Sequence, residues 1–172
     1  FSGTASVSGQ DVGSYDMLLA AGEFTNTSAN FTNVTFVIVD GALIITPVTD
    51  EVTVTITENS DTVVYDGTTK TVTGYTVTDI SDPLYTANDF TFSGTDSVSG
   101  QDVGTYDMLL MADDFTNVNT NFANVTFVIV DGALTITPVE DEVTVTITEN
   151  SGTEVYDGTT KTVTGYTVTD IS

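Results

Sequence analysis

Residues 51–58, EVTVTITE, set Val52, Val54 and Ile56 against Thr53, Thr55 and Thr57 at every second position. This is the period of a strand with one buried face, and threonine, β-branched and compatible with water, suits the other face. Residues 124–138, NVTFVIVDGALTITP, alternate in the same way on both sides of Asp131-Gly132, with Val125, Phe127 and Ile129 before it and Leu134 and Ile136 after it. Asp-Gly supplies the positive φ angles of a type I′ turn, so the segment is predicted to be a hairpin. GTYDMLLM (104–111) places Tyr106, Met108 and Leu110 on one face, and DFTFS (89–93) offers Phe90 and Phe92. KTVTGYTVT (70–78) changes phase between Val72 and Tyr75, which assigns a bulge to Gly74. Residues 112–124 read as a loop with room for one short helical turn near Met111–Phe115.

The pattern occurs twice. Residues 1–81 align with 92–172 without a gap and with thirteen mismatches, a period of 91 residues, and DPLYTANDFT (82–91) stands unmatched between the copies. Internal repetition outranks other signals of organisation. With the unit placed at 48–138, residues 1–47 are the second half of a repeat and 139–172 the first half of the next. The chain opens at Phe1, and the expectation is a window on a longer array. Six or so strands per period predict an all-β fold, an immunoglobulin-like β-sandwich repeated in tandem, with a β-grasp module as the alternative. Thr49, Val63 and Ile44 become Glu140, Glu154 and Thr135 in the other copy, so these positions are expected to face solvent.

Charge narrows the partners. Two lysines, no arginine or histidine and 25 acidic residues give a net charge of −23. Such a surface cannot neutralise phosphates, which excludes nucleic acid, and anionic membranes repel it. Forty per cent hydrophobic residues nevertheless provide for packing, so this is not a disordered acidic tail. The lack of cysteine removes disulfides and thiolate sites and fits an exported array that folds without redox help. Without histidine, cysteine or arginine there is no ordinary triad, imidazole base or zinc site, and the chain is not expected to be an enzyme.

Two groups of residues are candidates for chemistry. Lys70 and Lys161, one per copy, stand in VYDGTTK, while Asn121 and Asn124 precede the last hairpin. In some bacterial surface domains a buried lysine condenses with an asparagine beside a carboxylate, so these four are candidates for an intramolecular isopeptide cross-link. The plainer reading is a lysine projecting from a strand and easing acidic repulsion by well under about 1 kcal/mol. Gln10 and Gln101 are candidates for an ester to threonine on similar grounds. Asp50, Glu51, Glu140, Asp141 and Glu142 cluster at the unit junctions and are candidate calcium ligands, although no EF-hand or nonapeptide pattern is present. No other cofactor is expected.

VYDGTTK resembles the signature of YDG repeats of bacterial haemagglutinin-type surface proteins. DVGTYDMLL followed by NVTFVIVDGALTITP resembles the second half of MBG repeats of large bacterial adhesins. The resemblance implies an extracellular, cell-surface, tandemly repeated all-β module in the stalk of a long adhesin. Its expected partners are neighbouring repeats or further copies of itself, joined head to tail, and in the alternative a host glycan or protein recognised by the Asn/Thr-rich loops at 26–33 and 117–124.

Overall fold

A computed structural model describes all 172 residues. The chain forms fourteen strands and no α-helix: β1 (Gly13–Asp16), β2 (Ala42–Ile45), β3 (Val52–Glu58), β4 (Asp61–Val64), β5 (Lys70–Thr73), β6 (Tyr75–Ile80), β7 (Phe90–Phe92), β8 (Ser97–Gly100), β9 (Gly104–Asp107), β10 (Phe115–Asn117), β11 (Val125–Val130), β12 (Ala133–Thr137), β13 (Val145–Glu149) and β14 (Tyr166–Ile171). They assemble into several small sheets. Single 3-10 turns occupy Ala21–Glu23 and Ala112–Asp114, the second at the predicted place.

The alternation in β3 is realised fully. Val52, Val54 and Ile56 are buried and the threonines between them only half so. Burying each such side chain contributes about 1.5–3 kcal/mol. They belong to one core of twelve buried residues running from Val52 to Ile136, which includes Val72, Tyr85, Phe115, Phe122 and Leu134. Every member lies within 48–138, so one repeat encloses one core.

The predicted hairpin at 125–137 is not formed. β11 pairs in parallel with β3, Val125 opposite Val52 and Ile129 opposite Ile56. β12 pairs in parallel with β4 and antiparallel with β9. Residues 52–64 and 125–137 are therefore two arches, each rising in one sheet and returning in another, stacked in register. A hairpin would put the apolar residues of both strands on one side of a single ribbon, whereas the arches close their apolar faces around the core between them. Neither Asp131 nor Gly132 has a positive φ. Glycine is needed at 132 for a different reason: a Cβ there would lie 2.5 Å from the carbonyl oxygen of Asn59 and 2.6 Å from that of Glu58. The two parallel ladders also differ from the wholly antiparallel pairing of an immunoglobulin-type sandwich.

Gly74 does mark the change of phase. At φ 86 it separates β5, paired with β8, from β6, paired with β3, and so moves the chain from one sheet to another. The bulge itself lies further on, between the Asp79 and Val77 pairings. Of the three positions expected to face solvent in both copies, Thr49 and Ile44 are exposed, whereas Val63 and Thr135 are half-buried on the arch.

Candidate functional site

The lysine of each copy closes a local turn. Asp66 accepts hydrogen bonds from Lys70 Nζ at 2.5 Å, from Thr68 Oγ1 at 2.6 Å and from the Thr68 N–H at 2.9 Å. Gly67 provides the required left-handed residue, with φ 79. Gln101 Nε2 donates to the carbonyl oxygen of Gly67 at 2.9 Å and fastens the turn to the next segment. The lysine's hydrogen bond, followed by those from Thr68, holds the Asp66 carboxyl far below its ordinary range. Asp157, Thr159 and Lys161 repeat the geometry, with Lys161 Nζ 2.6 Å from Asp157, whose pKa is lowered to about 2. The turn forms identically in a packed unit and in an open half-unit, so local sequence determines it.

The asparagines are engaged elsewhere. The N–H of Asn119 donates to Asn117 Oδ1 and that of Asn121 to Asn119 Oδ1, both at 2.9 Å. Asn119 Nδ2 donates to Asp89 at 2.8 Å. Asn124 Nδ2 donates to the carbonyl oxygen of Thr49 at 2.8 Å, where the chain enters the unit. Lys70 and Lys161 are therefore bonded to their own aspartates, and neither is brought to Asn121 or Asn124. Below the loop, the Tyr85 hydroxyl lies 3.1 Å from both the Asp89 carbonyl oxygen and Asn117 Oδ1. Burial, reinforced by the Asp89 charge, pushes its pKa up to about 12.

Asn121 reaches across to the preceding repeat. Its Oδ1 accepts the Val12 N–H at 2.7 Å and its Nδ2 donates to Asp11 Oδ1 at 3.0 Å. A groove lined by Val12, Ile45, Val48, Leu84 and Phe122 runs beside this double contact. One amide thus fixes residues 11–12 of one repeat on the loop of the next. Nothing in the sequence separates Asn121 from the other asparagines of its loop, because its role depends on what the fold places opposite it.

The carboxylates proposed for calcium lie before β3 and after β12. Glu51 Oε1 accepts the Thr126 hydroxyl at 2.6 Å, while Glu140 and Asp141 border a shallow groove with Val64, Pro138 and Val139. No three acidic side chains converge into a set able to hold a metal ion. The carboxylate with the most distinct environment is Glu58, 3% exposed. It accepts the Leu110 N–H at 2.5 Å and the Gly132 N–H at 2.7 Å. Its signal was present in the alternation, since Glu58 follows Val52, Val54 and Ile56 on the buried phase of the strand.

An all-β repeat with one core per period and polar contacts across its junction defines a modular class of protein. The sequence model of the MBG domain matches residues 52–138, half of the chain. The chain belongs to the MBG domain family, whose members are typical of surface proteins. No match is found among curated proteins or among solved structures.

Proposed function

We propose that this chain is a structural spacer, a stalk repeat that projects or assembles part of a bacterial surface adhesin or extracellular filament. The observation that carries the reading is that the whole core is drawn from a single 91-residue period. A unit that folds on its own residues can be repeated without redesign, and length then follows copy number. The acidic surface adds mutual repulsion that keeps neighbouring modules soluble. The asparagines of the 117–124 loop bond to their own unit and to residues 11–12, which favours a scaffold role for the loop over ligand recognition. No helix is long and apolar enough to cross a membrane, a statement that does not bear on β-barrels.

The test is mechanical. Chains carrying two, three and four complete periods are pulled singly, and each unit should open in its own step of about 300 Å of contour, the extended reach of one period. Steps that do not scale with copy number overturn the reading. The alternative, an adhesive module for host glycan or protein, draws on one observation: four of the thirteen differences between the copies fall at Thr27, Ser28, Ala29 and Thr32, within one loop. Binding of a single complete period to a glycan array or to mucin favours that alternative.

A further inference from the structure

The complete unit leaves one sheet edge undefended. In the sheet ordered β11-β3-β6, β3 is paired on both sides, and β6 closes one edge with Asp79 and a bulge. The other edge, β11, reads VTFVIV and contains no charged residue, proline or bulge. Those are the features that keep an exposed edge from pairing with another chain.

The backbone of β11 is open on its outer side. The Val52 N–H donates to the Asn124 carbonyl oxygen at 2.9 Å, and this contact sets the parity of the parallel ladder. Thr126, Val128 and Val130 turn their N–H and C=O groups to β3, while those of Val125, Phe127 and Ile129 point away from it. No strand or loop of the chain bonds them. Burial agrees: Val52, Val54 and Ile56 on β3 are buried, whereas their neighbours Val125, Phe127 and Ile129 are only half-buried. On the opposite face Val128 and Val130 are 43% and 45% exposed.

We propose that β11 is a self-pairing edge, through which two copies of this chain join in antiparallel orientation about a two-fold axis at Val128. The two three-stranded sheets then form one sheet of six strands. Opposed residues of an antiparallel pair share a face, so Val128 meets Val128 of the partner copy, Thr126 meets Val130 and Phe127 meets Ile129. This register gathers the exposed valines into one strip and sets Asp131 against Val125, so no carboxylate faces another. The occupant is a second copy because the chain carries a net charge of −23. Two such chains repel over most of their surface, and at β11 they meet without opposing charges. The free N–H and C=O groups of Phe127 and Ile129, reversed by the two-fold axis, satisfy one another, which makes the contact isologous. One strand on each side is far less than the roughly 20–30 residues a side of a stable interface. The pairing is therefore weak for one unit and gains strength with the number of units engaged.

The chain has no cysteine, so Val128→Cys reports the pairing directly. At the axis the two Cα atoms stand about 4.5 Å apart, a separation that a disulfide spans. Mild oxidation of concentrated Val128→Cys should give a reducible dimer. Thr55 lies beside Val128 on β3, and in the joined sheet it is three strand spacings, about 14 Å, from its mate. Thr55→Cys should therefore cross-link at least tenfold less. In sedimentation the unmodified chain should gain mass with concentration. Raising salt from about 0.01 M to about 1 M shortens the screening length from about 30 Å to about 3 Å and should tighten the association. Val128→Asp sets two carboxylates against each other at the axis and should weaken it by tenfold or more. A chain monomeric at all concentrations in high salt, equal yields from the two cysteine variants, or association unchanged in Val128→Asp overturns the proposal. The experiment reads pairing between copies, so its failure leaves the spacer role standing and is distinguishable from failure of the pulling test.

Discussion

Glu58 binds the two stacked arches to each other through Gly132, whose N–H it accepts at 2.7 Å while its other oxygen takes the N–H of Leu110 at 2.5 Å. The carboxylate is 3% exposed and lies at the end of β3, so it closes the core where both arches turn. A buried acceptor with two fixed donors is stabilising only as a complete set, because an N–H left without a partner keeps its full desolvation cost.

Glu58→Gln should therefore destabilise the unit by about 2 kcal/mol. The amide retains one acceptor oxygen but turns an NH2 group towards the second N–H donor. Thermal or denaturant unfolding measures the loss. An unchanged midpoint would mean that the carboxylate is solvated and does not tie the arches.

Gly132 and Gly41 are the same position of the repeat in different surroundings. A Cβ at 132 meets two backbone carbonyls inside van der Waals contact, whereas a Cβ at 41 meets nothing within 4 Å. Gly132→Ala should cost about 1–3 kcal/mol through forced backbone shifts. Gly41→Ala, where the added Cβ meets no atom, should leave the midpoint unaffected. Equal effects from the two variants would contradict the close approach of the arches at Asn59.

Lys70→Met tests the turn lysine through the titration of its partner. The Lys70 hydrogen bond lowers the Asp66 pKa, so the folded group stays ionised at pH values where the unfolded one is protonated. Its contribution is complete above the ordinary value of 3.8 and is lost as pH falls through the folded value. For the matching Asp157 the window runs from 3.8 down to about 2. Carboxyl NMR of Lys70→Met should show the Asp66 midpoint moving up towards 3.8 while Asp157 does not move. Because both lysines are paired with aspartates, the intact mass should equal that of the plain sequence. A deficit of 17 Da per bond would instead reveal cross-linking to asparagine.

Much of the fold was legible where a strand's own residues decide its state. The alternation of β3, the phase change at Gly74 and the short turn at Ala112–Asp114 all follow from local pattern. The pairing of 125–137 did not, because alternation is the same in a hairpin and in an arch, and Asp131-Gly132 serves either. What separates them is a partner more than seventy residues upstream, and the close approach at Gly132 exists only once that partner is in place. At the site, VYDGTTK stood out as a repeated motif, but neither its turn, with Lys70 bonded to Asp66, nor the junction role of Asn121 was legible.

Asn121→Ala tests that junction. The Val12 N–H has the Asn121 side chain as its acceptor, and Asp11 loses its donor in the same variant. Both contacts lie at the surface of the central unit and outside its core, so global unfolding of 48–138 should shift by less than about 1 kcal/mol. Residues 10–12 should respond strongly, because a lost hydrogen bond of about 1.4 kcal/mol raises local opening by about tenfold. Amide exchange at Val12 should accelerate by that factor. Asn121→Asp separates the two contacts: it keeps an acceptor for Val12 but sets a second carboxylate against Asp11. Its junction should therefore loosen at neutral pH and tighten again as pH falls and the pair takes up a proton. Unchanged exchange at Val12 in the alanine variant would show that residues 11–12 are held by the groove alone, and the orientation of successive repeats would then rest on Val12, Ile45 and Phe122 instead of on one amide.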